Sequence, residues 1–333
     1  MTDVSSPRQF DDLPTVTFDR AGNRLTTRDL KARLAVALLR GAERATAPWN
    51  HVGISRLHGL IGKLFAPGNV TDIGLASGGT FSYPSNDYYW NRLLTLDWDY
   101  ERDIQAILHA MRDVRYTFVD IGANFGFFSC LAGSPAFGAQ RLVAVEPARM
   151  AYELLERNLA PFADHAQNYR LAIDNVSGNA VTLFGERHAG FTLKQARDAE
   201  STRAGEVVHT ISIDDVLAKS GVDAASAPVL VKLEVEGIEM RALEGAQRTI
   251  AGDAAFIIEE IEPTGISDCI QYAFDTLGMT MFYSENDQFR ELSGMDELKS
   301  HRVTQQGLQA RGTSIVAFRN GPWRERLKGL FDA

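Results

Sequence analysis

Phe118-Val119-Asp120-Ile121-Gly122-Ala123-Asn124-Phe125-Gly126-Phe127-Phe128 is the stretch whose reading decides the fold. A β-branched and aromatic run ends in an acid, passes through a glycine-punctuated turn and enters an apolar segment able to begin a helix. A parallel α/β sheet presents such a turn to a ligand at the carboxyl end of its first strand. Gly122 and Gly126 permit backbone angles and close approach that a β-carbon would block. The spacing therefore predicts bare backbone amides in the turn. Asp120 adds a negative charge at the strand end, which repels a pyrophosphate and attracts a cation, so a positively charged nucleoside fits better than a dinucleotide.

Downstream, the rhythm is that of a doubly wound sheet. Leu142–Glu146 reads as a second buried strand, and Pro147 suits the first turn of a helix whose inward stripe is Ala151, Leu154, Leu155, Asn158 and Leu159. A third strand is expected near Tyr169–Ile173, and an added one at Ala180–Phe184. Val207–Ile211 is strand-like, and Asp214-Asp215 is placed to cap a short helix. Val229–Val235 reads as a strand and Ile238–Ile250 as one helix. Phe256–Ile261, Met279–Tyr283 and Ser314–Phe318 close the sheet.

Upstream, residues 1–25 read as a loose arm. Leu30, Leu34, Ala37 and Leu38 predict a helix from Thr27 to about Arg44, and Ile54–Phe65 carries a second apolar stripe. Tyr83, Tyr88, Tyr89, Trp90, Trp98 and Tyr100 form an aromatic cluster, which either lines an acceptor pocket or packs the extension onto the sheet. Glu101–Met111 is expected to be the helix leading into the first core strand. Three spans result: an arm with a mainly helical extension (1–85), a catalytic domain (86–320) and a tail (321–333) with a short surface helix at Trp323–Phe331.

Composition narrows the partners. The chain has 333 residues and a formal charge of −9, and no basic run. Nucleic acid is disfavoured as a partner, because phosphate recognition needs a basic face. No apolar run reaches the roughly 18–20 residues of a membrane span. The polar, acidic N-terminus does not resemble a secretory signal. Cys130 and Cys269 have no metal-ligand neighbour at short spacing, which points to a reducing, cytoplasmic setting. Metal binding is not expected at the His51/His58 pair, no ligand cluster demands an ion, and metal dependence is left open. A homo-oligomer is left open.

Glu146 stands at the end of the second strand, where an acid accepts both ribose hydroxyls of a nucleoside. A dehydrogenase places an acid at the same point, but its Gly-x-Gly-x-x-Gly spacing is not that of Asp120–Gly126. In Val229–Gly237, strand alternation places Lys232, Glu234 and Glu236 on one face. A central parallel strand covered on both sides makes such groups costly unless they border a pocket or pair with one another. An antiparallel strand with one wet face is the alternative.

At these residues the chain resembles the FkbM family of methyltransferases. The family's Asp-x-Gly-Ala-Asn-x-Gly stands at Asp120–Gly126, its Glu-Pro at Glu146-Pro147 and its Lys-x-Asp-x-Glu-Gly-x-Glu at Lys232–Glu239. Its Glu-Gly-Ala follows at Glu244-Gly245-Ala246, while Tyr100-Glu101 and Ile211–Asp215 look like further family features. The likeness covers about residues 85–262. Glu234 departs from it, standing where Asp is usual.

The resemblance implies a class I methyltransferase: a Rossmann-like, doubly wound, seven-stranded, mostly parallel sheet with its last strand antiparallel, and S-adenosylmethionine as donor. It implies that Asp120, Gly122, Ala123, Asn124 and Gly126 surround the methionine part and Glu146 the ribose, with Asp174 near the adenine amino group. The expected acceptor is a hydroxyl of a small metabolite, sugar or natural product. Glu234, Glu236 or Lys232 would serve as base, Lys232 only with a lowered pKa; equally, these three would only fix the donor. Glu101 and His209 rank behind them as structural groups. A nicotinamide-dependent oxidoreductase and a non-catalytic cofactor-binding protein are the rival readings.

Overall fold

A computed structural model describes residues 15–46, 54–65, 69–87, 89–96, 99–184, 192–194, 205–235, 237–260, 266–285, 288–305 and 313–331. Tyr88, Trp98, Glu236 and His51, which the sequence singled out, lie outside the described residues.

The N-terminal part is built from β1 (Thr15–Asp19), β2 (Arg24–Thr26), α1 (Leu30–Thr46), α2 (Ile54–Gly62), β3 (Val70–Gly74) and β4 (Thr80–Pro84). Its strands form a four-stranded sheet in the order β2-β1-β3-β4. Residues 15–26 are thus a hairpin and not a loose arm, and the helices of the extension share it with a sheet. Val16 and Phe18 alternate inward along β1, a period too short to stand out in so polar a stretch. Helix α3 (Arg102–Ala110) then leads to the core.

The main sheet uses β5 (Thr117–Ile121), β6 (Arg141–Val145) and β7 (Ala166–Tyr169), connected by α4 (Phe127–Gly133) and α5 (Arg149–Leu159). A side sheet follows, from β8 (Ala172–Ile173), β9 (Ala180–Phe184), β10 (Thr192–Lys194) and β11 (Glu206–Ile211). The span expected as one third strand is therefore split, with β7 in the main sheet and β8 in the side sheet. The chain returns through α6 (Ile213–Lys219), β12 (Val229–Leu233), α7 (Glu239–Glu244), α8 (Gln247–Ala251), β13 (Ala254–Glu260), α9 (Asp268–Asp275), β14 (Thr280–Glu285), β15 (Gln288–Glu291), α10 (Met295–Gln305) and β16 (Thr313–Phe318), and ends in α11 (Trp323–Arg326) and α12 (Lys328–Phe331).

The order of the main sheet is β15-β14-β16-β13-β12-β5-β6-β7. Strands β13, β12, β5, β6 and β7 are mutually parallel, and β16 inserts antiparallel between β13 and β14. This is the expected α/β architecture with one strand added, because the β14–β15 hairpin makes the sheet eight-stranded. Every residue of β5 and β12 is buried, as a sheet covered on both faces requires. Phe118, Leu142, Leu230 and Ile257 face the layer of α4, α5 and the N-terminal part, while Val119, Val143, Val231 and Ile258 face the opposite core.

Two expected helices differ. The Ile238–Ile250 span breaks into α7 and α8 at Gly245-Ala246, where a β-carbon on Gly245 would lie 2.7 Å from the Asp174 carbonyl oxygen. The tail is more than a surface helix. Trp323 and Leu327 are fully buried, and the Phe331 ring stacks on Phe282 at 3.6 Å.

One side chain joins the N-terminal sheet to the core. Asn158 of α5, buried, accepts from the Ser82 amide at 2.8 Å and donates to the Ser82 carbonyl at 2.8 Å. It also donates to the Phe125 carbonyl at 2.7 Å, within the turn after β5.

Candidate functional site

The turn after β5 needs its glycines for different reasons. Gly122 has φ +77°, and a β-carbon there would sit 1.8 Å from the Glu234 carbonyl oxygen, so two strand ends meet where no side chain fits. Gly126 has φ +83° and faces Leu155 of α5. Between them Asn124 is left-handed as well, with φ 51°, a conformation Asn tolerates better than most residues.

The amides of this turn are not bare. Gly122 and Ala123 both donate to the Val145 carbonyl at 3.0 Å, and Gly126 donates to Ala123 at 2.7 Å. The Asn124 amide donates to Glu146 Oε2 at 2.9 Å, while the Ala148 amide donates to Glu146 Oε1 at 2.8 Å. The expectation of exposed N–H groups is corrected: the turn uses its donors to fasten β5 to β6 and to orient the Glu146 carboxylate.

Asp120 and Lys232 are direct partners in the register of β5 and β12 and are almost wholly buried. Asp120 Oδ2 accepts from Ser129 Oγ at 2.6 Å. Its Oδ1 has no hydrogen-bond partner and lies 3.9 Å from Lys232 Nζ. Lys232 Nζ donates to Glu234 Oε2 at 2.6 Å and rests over the Phe128 ring at 5.4 Å. Burial pushes the Asp120 carboxyl above its ordinary range, against the pull of Lys232 and Ser129. Burial lowers the Lys232 ammonium, but Glu234, Asp120 and Glu101 outweigh it and raise its pKa. Lys232 is therefore corrected as a base. A raised pKa is the opposite of what a lysine base needs, and the ammonium faces Glu234 and Asp120 as their counter-ion.

A third strand end contributes an acid that the sequence reading missed. Glu101, Glu234 and Glu259 each bring a carboxylate oxygen to within 4.8 Å of the others. Three carboxyl groups so close repel one another unless a proton or a cation stands between them. Glu101 carries the strain of this placement: it has φ 43° at the start of α3. Burial first, then Glu234, pushes its carboxyl up to about 8 against Lys232. The signal for Glu259 was present in the sequence. An acid closing the apolar run Ala254–Ile258 obeys the same rule that singled out Lys232.

Asp174 is brought to a different partnership. Buried beside Gly245, it binds Arg241 at 2.7 Å and accepts from the Asn175 amide at 2.7 Å. Asn175 Nδ2 in turn donates to Glu244 at 2.8 Å. His209 is exposed on β11. Tyr83, Trp90 and Tyr100 are buried, with Trp90 and Tyr100 packed on Phe127 at 5.4 and 5.3 Å. These rings fix the N-terminal layer to α4. Tyr89 is the partly exposed member, edge-on to Tyr100 at 5.7 Å.

Residues 120–289 match the methyltransferase FkbM domain, just over half of the chain. The chain belongs to this family. Among solved structures it is similar to the FkbM methyltransferase of Methylobacillus flagellatus KT, at 17% identity and a TM-score of 0.34, over 70% of this chain and 54% of that one. It is also similar to precorrin-6y C5,15-methyltransferase of Geobacter metallireducens GS-15, at 11% identity and a TM-score of 0.35, over 67% and 91% of the two chains. An rRNA methylase of Streptococcus thermophilus matches at 8% identity and a TM-score of 0.36, over 67% and 99%. No curated protein matches the chain.

The FkbM domain brings S-adenosylmethionine as its cofactor, and the site suits it. The orphaned, buried Asp120 Oδ1 is an acceptor waiting for a cationic donor, at the carboxyl end of the strands where α/β sheets bind ligands. No helix among the described residues is long and apolar enough to cross a membrane.

Proposed function

We propose that the chain is a methyltransferase that methylates a hydroxyl group of a small molecule, with S-adenosylmethionine as donor. The convergence of Asp120, Lys232, Glu234, Glu101 and Glu259 at the ends of three parallel strands supports this reading. Such a carboxylate-rich mouth repels polyphosphate and supplies groups able to take a proton.

In this reading Asp120 accepts from the ammonium of the methionine part, and Gly122, Ala123, Asn124 and Gly126 shape the turn beside it. Glu146, held by two amides, takes the ribose hydroxyls, and Asp174 lies toward the adenine amino group. Lys232 with Glu234 fixes the charge balance of the donor end, and Glu236 belongs to the same segment. The bound cofactor supplies an electrophilic methyl on a sulfonium. The protein holds the acceptor oxygen in line with it, keeps water out and receives the hydroxyl proton, and alignment supplies most of the rate.

Calorimetric titration with S-adenosylhomocysteine, followed by a panel of sugar, aliphatic and phenolic hydroxyl compounds with radiolabelled donor, tests the proposal. Binding plus transfer to oxygen is the expected result. Affinity for NAD(H) without affinity for S-adenosylhomocysteine would return the oxidoreductase reading. Binding without transfer would return the non-catalytic one.

A further inference from the structure

We infer that Glu101 is the catalytic base of this site, taking the proton of the acceptor hydroxyl beside Glu234 and Glu259 at the strand ends. The inference rests on the hydroxyl-transfer reading above and deepens it.

The sequence offered three bases and ranked Glu101 behind them, and the geometry reverses that order. Lys232 is locked as an ammonium between Asp120, Glu234 and Glu101. Glu234 Oε2 is occupied by the Lys232 ammonium, which donates to it at 2.6 Å. Glu101, contributed by the N-terminus of α3, completes the group with Glu234 and with Glu259 of β13. A second observation points to a ligand here. Asp120 is 1% exposed, and its Oδ1, aimed at Lys232, lacks any hydrogen-bond partner. A cationic donor beside that oxygen would place the acceptor next to the same group of carboxyls.

An aliphatic hydroxyl is scarcely ionised at neutral pH, and a carboxylate of ordinary pKa is a poor base for it. Proton transfer becomes efficient as the base's pKa approaches the working pH. The raised Glu101 carboxyl, about 8, meets that need. The groups facing it are Glu234 and Lys232 from the β12 end, Glu259 from β13 and the neighbouring Tyr100. In the step, the acceptor oxygen forms a bond to the methyl carbon as the carbon–sulfur bond breaks. The electron pair of that bond stays on sulfur, leaving a neutral thioether, and the hydroxyl proton passes to the Glu101 carboxylate, which later releases it to solvent.

The test uses the full chain, S-adenosylmethionine and the hydroxyl panel. Wild-type kcat should rise about tenfold per pH unit and level off at or somewhat below 8, since a bound cation lowers the base's pKa. Glu101→Gln should remove that limb and lower kcat by about 10²–10⁴-fold, with S-adenosylhomocysteine affinity unchanged. Glu101→Asp should restore the limb at reduced kcat, which a purely structural role would not do, and melting curves of both variants report the fold. A Glu101→Gln enzyme that keeps its kcat and its pH limb overturns the inference, as does loss of activity in chelator with recovery on adding Mg²⁺, which would make the carboxyl group a cation site. If wild-type protein methylates no panel member at any pH, the hydroxyl-transfer reading itself falls and takes this one with it.

Discussion

Two buried acids sit in this fold against cations, and they are treated in opposite ways. Asp174 has a near-balanced setting: Arg241 pairs with it, and the Asn175 amide and the Asn175–Glu244 bond complete the network. Asp120 shares its single ammonium, Lys232, with Glu234 and Glu101, at a distance that leaves one of its oxygens without a hydrogen bond. A protein that only needed a stable core would satisfy both. The unsatisfied pair marks where the chain keeps a place for something other than itself.

The comparison can be broken most sharply at the backbone beneath the unsatisfied pair. Gly122→Ala forces a β-carbon against the Glu234 carbonyl at positive φ, and should cost about 2–4 kcal/mol of stability, read by chemical denaturation. A neutral result would mean that the two strand ends are not as tightly joined as described. Asp120→Ala leaves Lys232 still paired with Glu234, so melting should move little. Its effect should appear in S-adenosylhomocysteine affinity, down about 10–100-fold for a lost charge-assisted hydrogen bond.

Arg241→Ala does the reverse. It strands a buried carboxylate, and should cost about 1–3 kcal/mol while changing affinity by less than about threefold, within 0.7 kcal/mol. If Arg241→Ala loses affinity as heavily as Asp120→Ala, the contrast between the satisfied and the unsatisfied acid fails.

A further test is a pH trend. The folded-state pKa of Glu101 is raised to about 8 from 4.5, so the folded protein binds a proton that the unfolded chain has released. The stabilisation is full below the unfolded value and is lost as pH rises through 8. Comparing melting temperatures of wild type and Glu101→Gln between pH 5 and 8.5 should show the wild type losing ground as pH increases. Parallel curves would place the Glu101 carboxyl in an ordinary environment.

Much of the scaffold was legible in the sequence because buried parallel strands have few alternatives. The Phe118–Ile121, Leu142–Val145 and Val229–Leu233 runs could only be covered on both faces. Strands β1 and β2 escaped because alternation over three to five residues in polar sequence resembles a coil. Short-range rules also misassigned a cap. Ser212 starts α6, accepting from the Asp215 amide at 3.1 Å, while Asp214 reaches across to the Arg248 and Thr249 amides at the start of α8.

The donors of the glycine turn were read as exposed because sequence shows which amides a turn contains, not which carbonyl, here that of Val145, crosses to meet them. The site was half visible. Motif spacing exposed Asp120, Glu146 and Lys232, but only the folded chain brings Glu101 at the start of α3 and Glu259 of β13 together with Glu234.

The side-chain amide of Asn158 bonds Ser82 through both its oxygen and its nitrogen, and the same nitrogen donates to Phe125. Any coupling carried by that amide runs equally both ways: a ligand that tightens the turn tightens the amino-terminal sheet, and a loosened sheet weakens the ligand's hold. Trimming the chain back to its core strands would therefore yield a domain that folds less firmly and recognises its nucleoside less well, making the extension a silent participant in recognition.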